Sequence, residues 1–290
     1  MQAQDPSAPA LCVLASGSSG NASVLRTSEG QLVLIDAGIS PRRTEAALAA
    51  LGHTLHDIRA VVLTHLDSDH FYTAWTSAIT RRLPSDAHVW VSTAHANARR
   101  LQPLAHASRL RTFDTTPFQP AANLTFSSRL AKHDDQGVAT FRIQTPTGTL
   151  GYLTDLGEVT QALTDFHTNV DVLAIESNYC PTLQARSERP DFLKRRIMGG
   201  AGHLSNHQCL AAAEAIAPTA HAVFLHLSRD CNHPDLVAAL HEGADYARTI
   251  AAPNEPTRWV SITPATPPAP QPHRPHAAIH TQNTLFGANA

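Results

Sequence analysis

The chain has 290 residues, of which 42% are hydrophobic and 16% charged, and its formal net charge is −2. This composition is typical of a globular protein, and it excludes the global basic field that attracts polyanions, so any nucleic-acid binding must come from a local patch. The four cysteines form no CxxC pair, which argues against a disulfide framework or a cysteine zinc ribbon. Neither a secretory signal nor a membrane span is apparent, so we expect a cytoplasmic protein without a membrane partner.

Strands and helices alternate along the first half of the chain. Strands are predicted over LCVLAS, over the hairpin SVLRT and QLVLIDAG, and over IRAVVLTH and HVWVS. A helix is predicted over PRRTEAALAALG, since Pro41 stands at its start and Gly52 just past its end. Further helices are predicted around residues 72–82 and over TAHANARRLQPL.

The second half repeats the alternation. Short strands are predicted over LTFSSRLA, ATFRIQTP and TLGYLTD, followed by a helix over VTQALTDFHT and a strand over VDVLAIES. Ser205 and Gln208 form a capping-box pattern that begins a helix over SNHQCLAAAEAIA. A strand over AHAVFLHLS and a final helix over HPDLVAALHEGADYA follow. Alternation with antiparallel hairpins in each half favours an α/β fold of mixed sheets covered by helices.

The composition changes after Ala252, where prolines become frequent. Segments such as TPATPPAPQPHRPHAA bury too little apolar surface to fold, so we expect a flexible tail. The predicted organisation is one domain over residues 1–252 and a Pro- and His-rich tail over residues 253–290, although RWVSI could still add an edge strand.

The segment THLDSDH crowds two imidazoles and two carboxylates directly after the apolar run AVVL. Such polar groups at the end of a buried strand cost several kcal/mol each unless something satisfies them, and a metal centre would. A polar loop that merely caps the strand is the alternative for this segment alone. Other His, Asp and Glu residues also stand where strands should end or where loops follow them, and this regularity favours a shared site. They are His133, Asp155, Glu176, His203 and His226.

This ordered set resembles the metallo-β-lactamase superfamily, as does LIDAG ahead of the motif. Within that superfamily, LASGSSGN, ESNY, LKRRIMGGAGHLSN and HLSRDCN are similar to the YycJ/WalJ-like family, and GHLSN and HLSRD also resemble segments of the transfer-RNA 3′-end processing endonucleases. The resemblance implies an αββα sandwich and a two-metal phosphodiesterase in which a hydroxide bridging the metals is the nucleophile. It favours a nuclease acting on DNA rather than RNA, from a 5′ end.

The resemblance also implies a ligand set. One metal would take His65, Asp67, His133 and Asp155, and the other Asp69, His70, Asp155 and His226, with Asp155 bridging. Relatives usually have His at the position of Asp67. An additional carboxylate suits harder ions, so the first site should shift from zinc towards manganese or iron, or could weaken enough to leave one metal. Asp36 is expected to brace the motif loop rather than to bind metal.

His203 resembles the histidine that protonates the leaving oxygen in the processing nucleases, and Glu176 would orient it. Asp69 is also expected to be a catalytic residue. A locally hydrogen-bonded residue at a helix entry is the alternative for His203. Arg229 could grip a phosphate or form a surface salt bridge. The basic run RSERPDFLKRR, with Arg195 and Arg196 at its end, could track a nucleic-acid backbone or be a solvated loop. Ser19 and Asn21 could line the site or form a plain turn.

The tail ends in QNTLF, whose Gln282, Leu285 and Phe286 resemble the bacterial sliding-clamp-binding peptide. The alternative is a tail without function that ends in apolar residues, since so short a match arises by chance in about a few per cent of chains of this kind. For the whole chain, the rival functions are a small-molecule metallohydrolase that cleaves a cyclic phosphodiester, lactone or thioester, and a non-catalytic regulatory module.

Overall fold

A computed structural model describes residues 7–133, 135–200 and 202–265, and it contains two seven-stranded sheets. The first sheet has the order β14-β1-β2-β3-β4-β5-β6, and the second has the order β13-β12-β11-β10-β9-β8-β7. The strands are β1 Ala10–Ala15, β2 Ala22–Arg26, β3 Leu32–Ile35, β4 Ile58–Val62, β5 His88–Ser92, β6 Leu110–Phe113, β7 Phe118–Ala121, β8 Leu124–Ala131, β9 Val138–Gln144, β10 Thr149–Leu153, β11 Val172–Glu176, β12 His221–Leu225, β13 Ala247–Ile250 and β14 Val260–Ser261.

Helices connect these strands and cover the outer faces of both sheets. They are α1 Pro41–Ala50, α2 Trp75–Arg82, α3 Gln102–His106, α4 Gln161–His167, α5 Pro181–Arg186, α6 Asp191–Met198, α7 Asn206–Ile216 and α8 Pro234–Leu240, with 3₁₀ turns at Leu55–Asp57 and Arg99–Leu101. The capping box predicted for Ser205 and Gln208 is present at the start of α7.

The period of two along each strand builds a four-layer α/β/β/α sandwich. In β1, Leu11 and Val13 pack between the sheets with residues such as Phe126 and Phe141, while Cys12 and Leu14 face the helices of the first half. A third cluster packs the second sheet against α4, α7 and α8. The predicted αββα sandwich is therefore confirmed.

Strand direction places the candidate functional residues at one edge. β3 to β6 run parallel in the first sheet, and β10 to β13 run parallel in the second. The carboxyl ends of parallel strands lie at the same edge of a sheet. The segments that follow β4, β10, β11 and β12 therefore meet there, and these segments carry the motif THLDSDH, Asp155 and His226, with Glu176 at the end of β11.

Some predicted elements differ in length. The helix expected over TAHANARRLQPL is mostly turns, because Pro103 is tolerated only in the first turn of a helix and α3 therefore begins at Gln102. The final helix ends at Leu240, shortly before Gly243 adopts φ +80°, and the chain then enters β13. The short elements β6, β7, β13, α5 and α6 were not predicted.

The sheet also continues past the predicted boundary at Ala252. β14 pairs antiparallel with β1, as suggested for RWVSI, and the Thr257 hydroxyl accepts a hydrogen bond from Val13 N at 3.0 Å. The chain thus contacts the first sheet as far as Ile262, whose N donates to Pro9 O. Among the described residues, no helix is long and apolar enough to cross a membrane.

His167, at the end of α4, gives the fold a testable pH dependence. Its side chain is fully buried, with Nε2 3.2 Å from Thr140 Oγ1, and burial together with Arg142 lowers its pKa from 6.5 to about 3. The unfolded chain therefore binds a proton that the folded chain does not. The stabilising effect of neutral His167 is complete above pH 6.5 and is lost as the pH falls towards 3.

We predict that His167→Gln reduces the loss of unfolding free energy between pH 7.5 and pH 5 by about 2 kcal/mol relative to the wild type. Urea denaturation at both pH values measures this difference. The matched control is His207→Gln, which changes an exposed histidine on α7 and should keep the wild-type pH dependence. If His167→Gln and the wild type showed the same pH dependence, the lowered pKa of His167 could not be its source.

Candidate metal centre and active-site cavity

The loop that carries THLDSDH is fixed by backbone hydrogen bonds to two neighbouring loops. Asn21 N donates to Asp69 O at 2.7 Å, and Ala37 N donates to His70 O at 2.7 Å. Gly38 lies so close that a Cβ there would stand 1.6 Å from Asp69 O. Only glycine fits this approach, so the loops that follow β1, β3 and β4 form one rigid unit.

Asp36 braces the first residues of this loop, as expected from sequence. Its Oδ1 accepts hydrogen bonds from Thr64 N at 2.8 Å and Thr64 Oγ1 at 3.0 Å, and its Oδ2 accepts one from His70 Nδ1 at 2.7 Å. The Thr64 hydroxyl in turn lies 2.9 Å from His65 Nδ1. Each imidazole is thereby held through Nδ1, which turns Nε2 towards the centre of the site.

The structure brings all seven predicted metal ligands together in two groups. The ligand atoms within each group lie within 4.8 Å of one another. The groups are His65, Asp67 and His133, and Asp69, His70, Asp155 and His226. Asp155 stands between them, because its Oδ2 lies 3.3 Å from His65 Nε2 and 2.8 Å from His70 Nε2.

Two buried nitrogen atoms indicate that these groups suit a metal. His65 Nε2 and His226 Nε2 are shielded from solvent and lie 3.3 Å and 3.6 Å from oxygens of Asp155 and Asp69, but neither makes a well-formed hydrogen bond to a described residue. Buried polar atoms in native proteins almost always have a partner. Imidazole nitrogens beside carboxylates are ligands for Zn²⁺ and for harder divalent ions alike. The residues present therefore fit divalent metal ions.

The protein groups of the cluster also stabilise one another's charge. Burial alone would raise the pKa of Asp155, but His226 and His70 outweigh it and hold that pKa well below its usual range. Burial opposes a proton on His70, yet Asp155 and Asp36 raise its pKa well above the ordinary value. His226 follows the same pattern, with burial outweighed by Asp155. The site thus balances carboxylates against imidazoles.

The backbone is strained at three residues of the site that follow strands. Asp36, Asp155 and His226 all adopt positive φ values, of 60°, 52° and 57°. Such left-handed conformations are unusual for residues with a Cβ and persist where the surroundings fix them, often at functional sites. Sequence reasoning did not reveal this strain.

His203 and Glu176 form the hydrogen-bonded pair that sequence suggested. Glu176 is fully buried at the end of β11, and its Oε1 lies 2.7 Å from His203 Nδ1. Its Oε2 accepts hydrogen bonds from Leu156 N at 2.8 Å and Leu204 N at 3.3 Å. Burial opposes protonation of His203, but Glu176 more than compensates and raises the pKa of the imidazole. With Nδ1 held by Glu176, Nε2 is the ring nitrogen left for a substrate.

A cavity of about 320 Å³ lies over the candidate metal centre. Besides Asp67, Asp69, His133, Asp155, His203 and His226, its lining includes Ser18, Asn178, Arg189, Arg196 and Ser228. Of the predicted substrate-binding residues, Arg196 lines this cavity. Ser19 and Arg229 line an adjacent cavity of about 200 Å³, which shares Ser18 and Arg189 with the first.

Two predicted substrate-binding residues lie elsewhere. Arg195 is exposed on α6 and does not line this cavity, because it lies on another face of the helix than Arg196. Asn21 is buried, accepts a hydrogen bond from Gly17 N at 2.8 Å, and lies 2.9 Å from His70 Nε2. It therefore braces the turn and the candidate metal ligand rather than facing the cavity.

Sequence reasoning missed Arg189 and His95. Arg189 was part of the basic run, but only the fold shows that it bridges both cavities, where it donates to Ser228 Oγ at 3.2 Å and Asp230 Oδ2 at 3.1 Å. His95 lines a cavity of about 270 Å³ with His65 and His133, and it is 3% exposed. No pattern in the sequence distinguishes His95 from the other histidines of the chain.

The sequence is similar to a known protein family and to known nucleases. Residues 31–227 match the family model described as a beta-lactamase superfamily domain. Exodeoxyribonuclease WalJ of Streptococcus pneumoniae is 29% identical over 231 residues, covering 77% of this chain and 83% of the relative. Exodeoxyribonuclease YycJ of Bacillus anthracis is 27% identical over 232 residues, covering 77% and 84%.

Structural comparison gives the same fold at lower identity. The metallo-beta-lactamase fold protein YhfI of Bacillus subtilis superposes with a TM-score of 0.65 at 17% identity, covering 85% of this chain and 99% of YhfI. Because the family model spans more than half of the chain and the two ligand groups stand at the edge of an αββα sandwich, the chain belongs to the metallo-β-lactamase superfamily.

Proposed function

We propose that this protein is a metal-dependent phosphodiesterase, and specifically a nuclease that hydrolyses DNA from a 5′ end. The observation that carries the proposal is the pair of adjacent ligand groups, with Asp155 of one group 3.3 Å from His65 of the other, beneath a cavity lined by Arg189 and Arg196. The names of the WalJ and YycJ relatives support an exonuclease acting on DNA. The 5′ polarity rests on the sequence resemblance described above.

In this proposal, the site would hold two divalent ions. His65, Asp67 and His133 would hold one, Asp69, His70 and His226 would hold the other, and Asp155 lies between the two groups of residues. Divalent ions in such a pair supply an activated water and stabilise the charge that develops on the phosphoryl oxygens. Asp36, Thr64 and the backbone contacts of Gly38 keep the ligands oriented.

The residues of the cavity bind the substrate and protonate the leaving group. Arg196 and Arg189 attract and orient a phosphodiester by charge and hydrogen bonding. His203 holds a proton on Nε2, because Glu176 accepts the hydrogen bond of Nδ1 and stabilises the charged ring. It donates this proton to the leaving oxygen. A cavity lined by guanidinium groups favours a phosphate ester as substrate over the lactone or thioester that the alternative small-molecule metallohydrolase would cleave.

A direct test combines metal analysis with an activity screen. The purified chain should contain a divalent transition metal and should release nucleotides from labelled DNA faster than from RNA. Labelled single-stranded and duplex DNA, RNA and bis-p-nitrophenyl phosphate together separate a nuclease from a general esterase. Turnover of lactones or thioesters without any turnover of phosphodiesters would reject the proposal.

We predict that Asp155→Ala abolishes phosphodiesterase activity and lowers the metal content of the purified protein. The reason is that Asp155 stands between the two ligand groups, with its Oδ2 2.8 Å from His70 Nε2 and 3.3 Å from His65 Nε2. Elemental analysis and turnover of bis-p-nitrophenyl phosphate measure the two effects. Asp235→Ala, at an exposed position on α8, is the matched control. Full metal occupancy in Asp155→Ala would remove this residue from the ligand set.

We predict that Asp67→His shifts the preferred metal from manganese towards zinc. Asp67 is the half-exposed member of its ligand group, and a carboxylate suits a harder ion than an imidazole does. Activity of the metal-depleted protein titrated with Mn²⁺ and with Zn²⁺ measures the preference. Asp67→Asn is the control, since it removes the charge without adding a nitrogen ligand. The same metal profile in Asp67→His and wild type would refute the prediction.

We predict that His203→Ala lowers the rate of DNA hydrolysis about 100-fold but changes the hydrolysis of bis-p-nitrophenyl phosphate little. A nucleotide alkoxide needs a proton to leave, whereas p-nitrophenolate does not, and general acid catalysis commonly contributes a factor of this size. His207→Ala on α7 is the matched control. Equal losses on both substrates would show that His203 has a structural role.

The sliding-clamp contact through Gln282, Leu285 and Phe286 lies outside the described residues, and the comparisons give it no support. It stays a prediction from sequence. Titration of a peptide spanning residues 280–290 against purified clamp would test it, and no binding at millimolar peptide would reject it.

A further inference from the structure

Exposed apolar side chains are concentrated on the arm formed by α5 and α6. Six large hydrophobic side chains of the described residues are exposed, and three of them lie on these two short helices. Leu183 is 38% exposed, Phe192 67% and Met198 43%. A single exposed apolar residue is ordinary, so the occurrence of three on two neighbouring short helices makes this part of the surface a candidate for contact with a ligand.

Helix α6 stands at the rim of the active-site cavity. Leu193, Arg196 and Ile197 follow an i, i+3, i+4 spacing and all line the cavity. Phe192 is displaced by one residue from this face, and the same spacing makes Arg195 and Arg196 its neighbours on the helix surface. Lys194 lies between them in sequence. The most exposed aromatic ring of the arm therefore stands beside basic groups at the entrance to the site.

The arm is anchored rather than loose. Leu193 and Ile197 pack against Tyr179 and Cys231 in a small separate core. Lys194 Nζ donates to Ala185 O at 3.0 Å, which ties α6 to α5. The end of α6 is also joined to the predicted general acid, because His203 N donates to Ile197 O at 3.1 Å. A ligand held by α6 is thus positioned relative to His203 without a change in the fold.

We propose that Phe192 is a stacking platform for an unpaired base of a single-stranded DNA end, whose phosphates lie along the basic residues of α6. This inference rests on the proposed nuclease function. An aromatic ring beside guanidinium and ammonium groups is the combination that binds single strands without sequence preference, since every base has a π-face. Inside a duplex both faces of a base are covered by its neighbours, so the platform can stack only on a base at an end or in an unpaired segment. The basic flank favours nucleic acid over an apolar protein partner.

The test compares Phe192→Ala and Phe192→Trp with the wild type on a labelled single-stranded oligonucleotide, a blunt duplex and bis-p-nitrophenyl phosphate. Phe192→Ala should raise KM for the single strand roughly tenfold, the usual effect of losing one stacked base, and should leave turnover of the small substrate unchanged. Phe192→Trp should retain the wild-type KM. Leu236→Ala, which truncates an exposed side chain on α8, is the matched control and should change neither value.

Other outcomes count against the platform. Equal KM values for Phe192→Ala and wild type would overturn it and would leave the arm to a protein contact. A parallel loss on bis-p-nitrophenyl phosphate would show that Phe192 supports the fold of the cavity. If the wild type cleaves no DNA, the nuclease proposal fails separately, and fluorescence anisotropy with the same oligonucleotide then decides the platform. Indistinguishable affinities of Phe192→Ala and wild type in that assay would reject it.

Discussion

The site depends on one buried carboxylate, that of Asp155, which stands among four imidazoles. Its oxygens lie 3.3 Å from His65 Nε2, 2.8 Å from His70 Nε2, 2.8 Å from His226 Nδ1 and 3.9 Å from His203 Nδ1. A charged group removed from water is stable only when partners compensate it closely. The two sheets therefore have to deliver these histidines to the same point, and the loop geometry at this edge follows from that requirement.

Each sheet meets the requirement by a different means. In the first sheet, the motif loop is held by backbone hydrogen bonds and by the close approach of Gly38, so its ligands come from one short segment. In the second sheet, Asp155, Glu176 and His226 each come from a separate parallel strand, and two of the three leave their strands with a left-handed backbone. Strain of this kind needs a rigid surrounding, which the sandwich core supplies.

Two kinds of feature could be predicted from the sequence: elements set by nearby residues, and site residues that follow a characteristic order along the chain. Alternating apolar residues gave most strands, the capping box gave the start of α7, and the succession of His, Asp and Glu at strand ends gave the groups that the structure brings together. The arm of α5 and α6 was missed because its helices are short and because α6 packs against Tyr179 and Cys231, which come from distant segments of the chain. Arg189 and His95 were missed for a related reason, since their place beside the site depends on contacts between distant segments.

The two ligand groups are enclosed to different degrees. His70, Asp155 and His226 are almost fully buried, and Asp36 fixes His70 from behind. In the other group His65 and His133 are buried, but the side chain of Asp67 is 53% exposed and lies 3.9 Å from His65 Nε2. An exposed ligand is held less firmly by its surroundings than a buried and hydrogen-bonded one, and it loses more side-chain entropy on binding. The group around His70 is thus the more preorganised one, and an ion held by the group around Asp67 would be more accessible to substrate and solvent.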